Sequence, residues 1–249
     1  MKKKTLLLAV SLILLLSETG AAAFSYTNNI TLNAENASWE YNEYVTNMEA
    51  SFSRQLIDSQ TGNNDNFVNV WELLDMERRF EAKLQKSLEK NPDLKLNNSS
   101  EPATVSDLEY HFSEKSLGNV FKKTALENRA QVSYKLKKGA LTSGTELWLR
   151  GTPESKVRVT LPPGLEVNGS EGLKDRRLAF INERAVLKGR FGAAGEITLR
   201  LSENKTYGSN LAEEALKASK VEQKNESAAK KPVSDPSPNL FNYFGSLTL

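Results

Sequence analysis

From Leu108 to Leu201 the chain alternates apolar and polar residues in short runs, each stopped by a turn signal. Leu108, Tyr110 and Phe112 alternate with Asp107, Glu109 and His111, and Val132, Tyr134 and Leu136 repeat the pattern. Further runs are Glu146–Arg150, Lys156–Leu161, Leu165–Val167, Arg177–Ile181, Ala185–Phe191 and Glu196–Leu201. Gly151-Thr-Pro153, Pro162-Pro-Gly164, Asn168-Gly169 and Gly192 separate them. A period of two places every second side chain on one face of a strand, so this stretch is expected to form an antiparallel sandwich.

Upstream the period changes. Ile30 and Leu32, then Trp39 and Tyr41, flank the turn residues Asn33-Ala-Glu-Asn36, which predicts a hairpin over Phe24–Val45. Thr46-Asn-Met-Glu49 has the spacing of a capping box, and Met48, Phe52 and Leu56 then recur every four residues, which predicts a helix with those three side chains buried. A second helix is expected where Leu73, Met76, Phe80, Leu84 and Leu88 recur at three and four, up to Asn91-Pro92. Trp39, Trp71 and Trp148 have flanking patterns that fit core positions better than an exposed carbohydrate platform.

Between the two helical patterns lies Ile57-Asp58-Ser-Gln-Thr-Gly-Asn-Asn-Asp65-Asn-Phe-Val-Asn-Val-Trp-Glu72. Its Asp-Asn-Phe-Val-Asn-x-x-Glu portion resembles the calcium loops of EF-hand proteins and of dockerin modules, over roughly 46–90. The resemblance implies oxygen ligands at fixed places. With Glu72 as the last ligand, Asn69, the Phe67 carbonyl, Asp65 and Asn63 fall on ligand positions, and Asn66 takes the tight-turn place usually held by glycine. The first position holds Thr61 where an acid is expected; Asp58 is the alternative first ligand, in a loop three residues longer. These oxygens favour calcium over softer metals, and the imperfect loop implies a weak site, with Kd about 10⁻⁴–10⁻³ M. Without metal, the same Asn and Asp residues serve as turn and cap formers. The layout as a whole is similar to that of secreted archaeal surface proteins that carry such a loop inside a β-rich domain.

The ends of the chain bear on where it works. Lys2, Lys3 and Lys4 precede an apolar run from Thr5 to Leu16 and a small-residue stretch ending at Ala23. That is the pattern of a signal peptide over 1–23, cleaved before Phe24; the run is short for a spanning helix, the alternative being an uncleaved anchor. Its removal takes three lysines and one glutamate, leaving thirty basic and thirty acidic residues. A neutral chain is a poor ligand for nucleic acid, and no second long apolar run predicts a span in the mature protein. There is no cysteine, so no disulfide and no thiol for a lipid anchor. N-x-[ST] sequons at Asn29, Asn36, Asn97, Asn98, Asn168, Asn204 and Asn225 are compatible with a glycosylated surface protein. From 204 to 249 the chain is Ala/Lys/Glu/Ser-rich, then Pro-rich, and ends in an apolar tip, Asn239–Leu249; a flexible tail is expected.

The expected fold is therefore α+β: a sandwich-like domain over 24–203 with an EF-hand-like helix–loop–helix inserted at 46–91. The single histidine, His111, the lack of Cys and the lack of a G-x-S-x-G elbow leave no nucleophile–base set. The expectation is an exported, non-catalytic surface or extracellular protein with an unidentified protein or cell-surface partner. Two alternatives remain: a secreted carbohydrate-active hydrolase using a carboxylate pair such as Asp107/Glu109 or Glu213/Glu214, and an accessory subunit docking through the C-terminal tip.

Overall fold

The structure is a computed structural model, and it describes residues 24–204. The leader, the tail from Lys205, Glu213/Glu214 and the apolar tip lie outside the described residues. The chain opens with β1 (Phe24–Leu32) and β2 (Asn36–Val45), joined by the expected turn. Helix α1 (Asn47–Thr61), the two-residue strand β3 (Phe67–Val68) and helix α2 (Val70–Lys90) follow. Next come β4 (Leu94–Leu96), β5 (Ala103–His111), a 3₁₀ turn (Glu114–Ser116), β6 (Gly118–Asn119) and β7 (Leu126–Leu136). The series closes with β8 (Glu146–Arg150), β9 (Lys156–Thr160), β10 (Leu165–Glu171), β11 (Leu173–Ile181), β12 (Arg184–Phe191) and β13 (Glu196–Glu203).

The protein is mostly β, with two α-helices among the described residues. Seven strands pair in the order β11-β12-β9-β1-β2-β7-β5, four in the order β10-β13-β8-β4, and β3 with β6. One buried cluster draws on both larger sheets: Ile30, Trp39 and Val132 from the first, Leu94, Leu147 and Ile197 from the second. This layering is compatible with the sandwich-like expectation, with one correction. The sheet is not purely antiparallel, because β1 runs parallel to β9, Thr27 opposite Lys156. Those strands are far apart in sequence, so no tight hairpin turn dictates their direction.

Helix α2 packs along β5, which is the edge of the seven-stranded sheet. Leu84 and Leu88 reach the main core, while Leu73, Met76 and Phe80 join Ile57, Val68, Phe112 and Val120 in a second cluster. Phe80 lies between Tyr110 and Phe112, with ring centroids 5.3 and 5.1 Å away. The same helix supplies carboxylates to the strand: Tyr110 N donates to Glu81 Oε1 and Phe112 N to Glu77 Oε1. Edge amides are thereby spent within the chain, which blunts β5 as a template for another strand.

Helix α1 departs from its expected orientation. Met48, Phe52 and Leu56 are exposed, at 49%, 58% and 40%, and the opposite face, with Ala50, Ser51, Arg54, Ile57 and Asp58, is buried. Hydrogen bonding outweighs the apolar stripe here. Arg54 is fully buried; its Nη1 donates to Ala50 O and Lys122 O, and its Nη2 to Lys115 O and Thr124 O. Ser51 Oγ donates to Val120 O on the same segment. Bonds to a charged donor are worth roughly 1.5–3 kcal/mol each, enough to decide which face of a short helix turns inward. Thr46 takes the N-cap place without a side-chain cap bond, and the reciprocal capping box forms instead at α2.

Trp71 is also corrected. It stands 81% exposed in the first turn of α2, because the neighbouring positions Glu72 and Leu73 face inward. Trp39 is fully buried as expected, and its ring lies flat against Tyr41. Asn29 and Asn168 fall on strands β1 and β10.

Candidate cation site

The connection from α1 to α2 is built by side chains that bond the local backbone. Asn64 and Asn66 have left-handed backbones, φ 60° and 68°, the conformation expected of Asn66 at the tight turn. Asn63 Oδ1 accepts from Asp65 N at 3.2 Å, and Asp65 Oδ1 accepts from Phe67 N at 2.9 Å. Each is an Asx turn that folds the loop without help from outside. Strand β3 then pairs with β6, Phe67 opposite Asn119 and Val68 opposite Gly118. Asn69 caps α2: its Oδ1 accepts from Trp71 N and Glu72 N, while Glu72 returns Oε2 to Asn69 N at 3.1 Å and Oε1 to Asn69 Nδ2 at 2.7 Å.

Two carboxylates are drawn inward. Asp58 is 1% exposed and Glu72 6%. Asp58 Oδ2 accepts from Asn66 N at 2.9 Å, across the loop, whereas Asp58 Oδ1 is buried without a hydrogen-bond partner. A buried carboxylate oxygen left unpaired is costly, about 1–3 kcal/mol and more when charged. Glu72 packs against the loop's first residue: a Cβ on Gly62 would lie 2.5 Å from Glu72 Cδ and Oε1 and 2.7 Å from Asp58 O. Only glycine fits between the end of α1 and the Glu72 carboxylate.

Thr61 is occupied differently. Its hydroxyl lies 2.6 Å from Ile57 O and 2.9 Å from Glu72 O, both acceptors, so it ties the end of α1 to the start of α2. Arg79 Nη1 adds a clamp to Gln60 O. Of the seven candidate ligands, the Glu72 carboxylate packs at Gly62 together with the Asp58 backbone carbonyl, Thr61 precedes Gly62 in the chain, and the Asp58 carboxylate turns to Asn66 N instead. Asn63, Asp65 and Phe67 lie on the exposed outer loop and Asn69 at the helix cap. Among the described residues, no three His, Cys, Asp or Glu side chains converge as a metal centre.

Other candidate chemistry lies on open surfaces. Asp107 and Glu109 are exposed on β5, and His111 stands 3.7 Å from Glu109 and 4.0 Å from Glu77. The polar group that sequence reading passed over is Asp93, between α2 and β4. It is 5% exposed and accepts from the hydroxyls of Tyr41 and Tyr134; burial raises its pKa above the usual value. Its only sequence signal is an acid immediately after Asn91-Pro92, ahead of a short apolar run.

Comparison with known proteins yields no matching family model and no matching curated protein.

Proposed function

We propose that this is an exported, non-catalytic surface or extracellular protein whose α1–loop–α2 unit is an EF-hand-like cation module inserted in the β-rich domain. The observation that carries the module is Asp58 Oδ1, a buried carboxylate oxygen with no partner, on the side chain whose other oxygen spans the loop to Asn66 N. A cation is the partner such an oxygen lacks. Asp58, and not Thr61, supplies the first ligand in this reading, because the Thr61 hydroxyl already faces two carbonyls. The remaining oxygens of this reading are those of Glu72, Asn69, Asp65, Asn63 and the Phe67 carbonyl, a hard donor set suited to calcium; the Asx turns and helix cap that engage those side chains would have to open to turn them toward an ion. The ion would neutralise the inward carboxylates and fasten the end of α1 to the start of α2.

Export rests on the basic–apolar–small pattern of Lys2–Ala23. Intact mass of native extracellular material is expected to place the N-terminus at Phe24; a soluble chain retaining Met1 inside the cell overturns this half of the reading.

Calorimetric titration tests the other half. Calcium binding in the weak extracellular range raises the melting temperature, and at 100-fold over Kd the gain is about 2.7 kcal/mol. Asp58→Asn abolishes both the heat and the shift. No heat and an unmoved melting temperature at about 10 mM calcium, above that range, would leave the loop as a metal-free turn.

A further inference from the structure

The outer face of β9, β12 and β11 sets cations directly opposite cations. Arg177 pairs with Lys188, and Lys188 with Arg158, across the three neighbouring strands. Lys174, Arg190 and Lys156 form the next row in the same way. Directly opposite residues project from the same face of a sheet, and like charges so placed repel. All six side chains are exposed, while Val157, Val159 and Leu187 between them fill the core on the other face. Acids relieve the second row: Lys174 reaches Glu154 at 2.6 Å, and Arg190 reaches Asp175 at 2.7 Å. The first row has no such relief. Among the described residues, the Arg158, Arg177 and Lys188 side chains make no ion pair and no hydrogen bond. Overall composition does not account for this. Residues 154–160 with 173–191 hold eight bases and three acids, a net charge of +5, in a chain that is neutral from Phe24 onward.

An uncompensated row of cations calls for an anion, and the geometry narrows the class. The three charges stand one per strand, at the strand spacing of about 4.7–4.9 Å. A partner that meets all three repeats its anionic groups along an extended chain. The adjoining row on the same face is Ala179, Val186 and Thr160, with no aromatic ring on which a nucleic-acid base could stack. Val186 is buried, so that row offers nothing to enter a bilayer beside the cations. Lysine is depleted in protein–protein interfaces. We propose that this face binds a linear acidic polysaccharide, whose carboxylate or sulfate groups recur along an uncharged sugar backbone. Arg158 and Arg177 engage acid oxygens in pairs through their planar guanidinium forks, and Lys188 supplies a point charge between them. The site uses no residue of the cation loop.

The experiment titrates chain 24–249 at low salt, in chelator, with polygalacturonate, dextran sulfate and uncharged dextran. Chelator keeps the outcome separate from that of the calcium titration. The expected result is binding to a charged polymer, none to dextran, and an affinity that falls linearly with salt on logarithmic axes. Binding to polygalacturonate alone assigns carboxylate as the recognised group, and binding to dextran sulfate alone assigns sulfate. Arg158→Gln and Lys188→Gln each lower the affinity by about two- to fivefold. Glu154→Gln raises it, because Lys174 is released from its acid. Lys86→Gln, an equal loss of charge on the exposed side of α2, leaves it unchanged. Lys188→Gln keeps or raises the melting temperature of the free protein, since it removes repulsion from both Arg177 and Arg158. Three results overturn the proposal: no binding to either charged polymer, equal losses in Lys86→Gln and Lys188→Gln, or tighter binding to single-stranded DNA, duplex DNA or phosphatidylglycerol vesicles than to either polysaccharide.

Discussion

Tyr134 donates its hydroxyl to the carboxylate of Asp93, which Tyr41 also engages through its own hydroxyl. Arg150 N donates to Asp93 O, and the Arg150 side chain caps Asn91 O and Pro92 O next to it. The acid thus joins α2 and β4 to β2 and β7 inside the core. Burial raises its pKa above 3.8; the two tyrosine hydrogen bonds and the Arg150 charge oppose that shift without cancelling it.

That relationship sets a pH dependence. The folded chain holds the Asp93 proton at pH values where the unfolded chain has released it. The contribution from this group is therefore full below the unfolded value and is lost as pH rises through the raised folded value. Asp93→Asn is expected to flatten this part of the profile of melting temperature against pH, because the amide stays neutral. Asp93→Ala leaves two buried hydroxyls unpaired and costs about 1–3 kcal/mol for each. An Asp93→Asn profile identical to that of the parent would show that the carboxyl does not titrate in this way.

The orientation of α1 is tested by opposite faces. Phe52→Ser is expected to change stability by no more than about 0.5 kcal/mol, as an exposed side chain does. Ile57→Ala, at 1% exposure, is expected to cost about 2–5 kcal/mol. Urea melts that rank the two in the reverse order would put the Met48–Leu56 stripe inside.

Arg54 carries the segment after β5. Arg54→Leu removes the donors for Lys115 O, Lys122 O and Thr124 O together. The expected outcome is rapid proteolytic cleavage between Glu114 and Thr124, with cleavage elsewhere unchanged. Equal protection in parent and variant would mean that the carbonyls are held by other means.

The register of the cation loop separates through two substitutions. Asp58→Asn removes the buried negative charge while its amide oxygen still accepts from Asn66 N, so the metal-free protein is expected to keep its melting temperature within a few degrees, while the response to calcium disappears. Thr61→Asp places a carboxylate against Ile57 O and Glu72 O. It is expected to cost about 1–3 kcal/mol without tightening calcium. Tighter binding in Thr61→Asp would restore Thr61 as the first ligand.

Strands were legible where period two met a turn residue. The stretches Glu146–Arg150 and Ala185–Phe191 lie where the alternation puts them, give or take a residue. The tight turn at Asn66 was legible from the loop register counted back from Glu72 together with the tolerance of Asn for the left-handed region, whereas the equally left-handed Asn64 was not called. What failed depended on partners that are distant in sequence. No local pattern shows that the carbonyls of residues 115–124 await Arg54, so the apolar stripe of α1 was assigned to the wrong side. The three residues of β4 are too few to display a period and owe their place to β8. Within the loop, sequence left Asp58 and Thr61 as equals. The proposed choice of Asp58 rests on the Asn66 N–Asp58 bond and on the Thr61 hydroxyl lying between two carbonyls, contacts that no sequence pattern displays.

The strand made first lies inside its sheet, with β2 on one side and β9 on the other. Thr27 meets Lys156 only after more than half of the chain has been synthesised. Closing so long a loop is slow, and contacts of this separation delay folding until late in synthesis. The seven-stranded sheet therefore cannot be completed from the N-terminal half alone, and a chain cut short before Lys156 would leave one side of β1 without its neighbour.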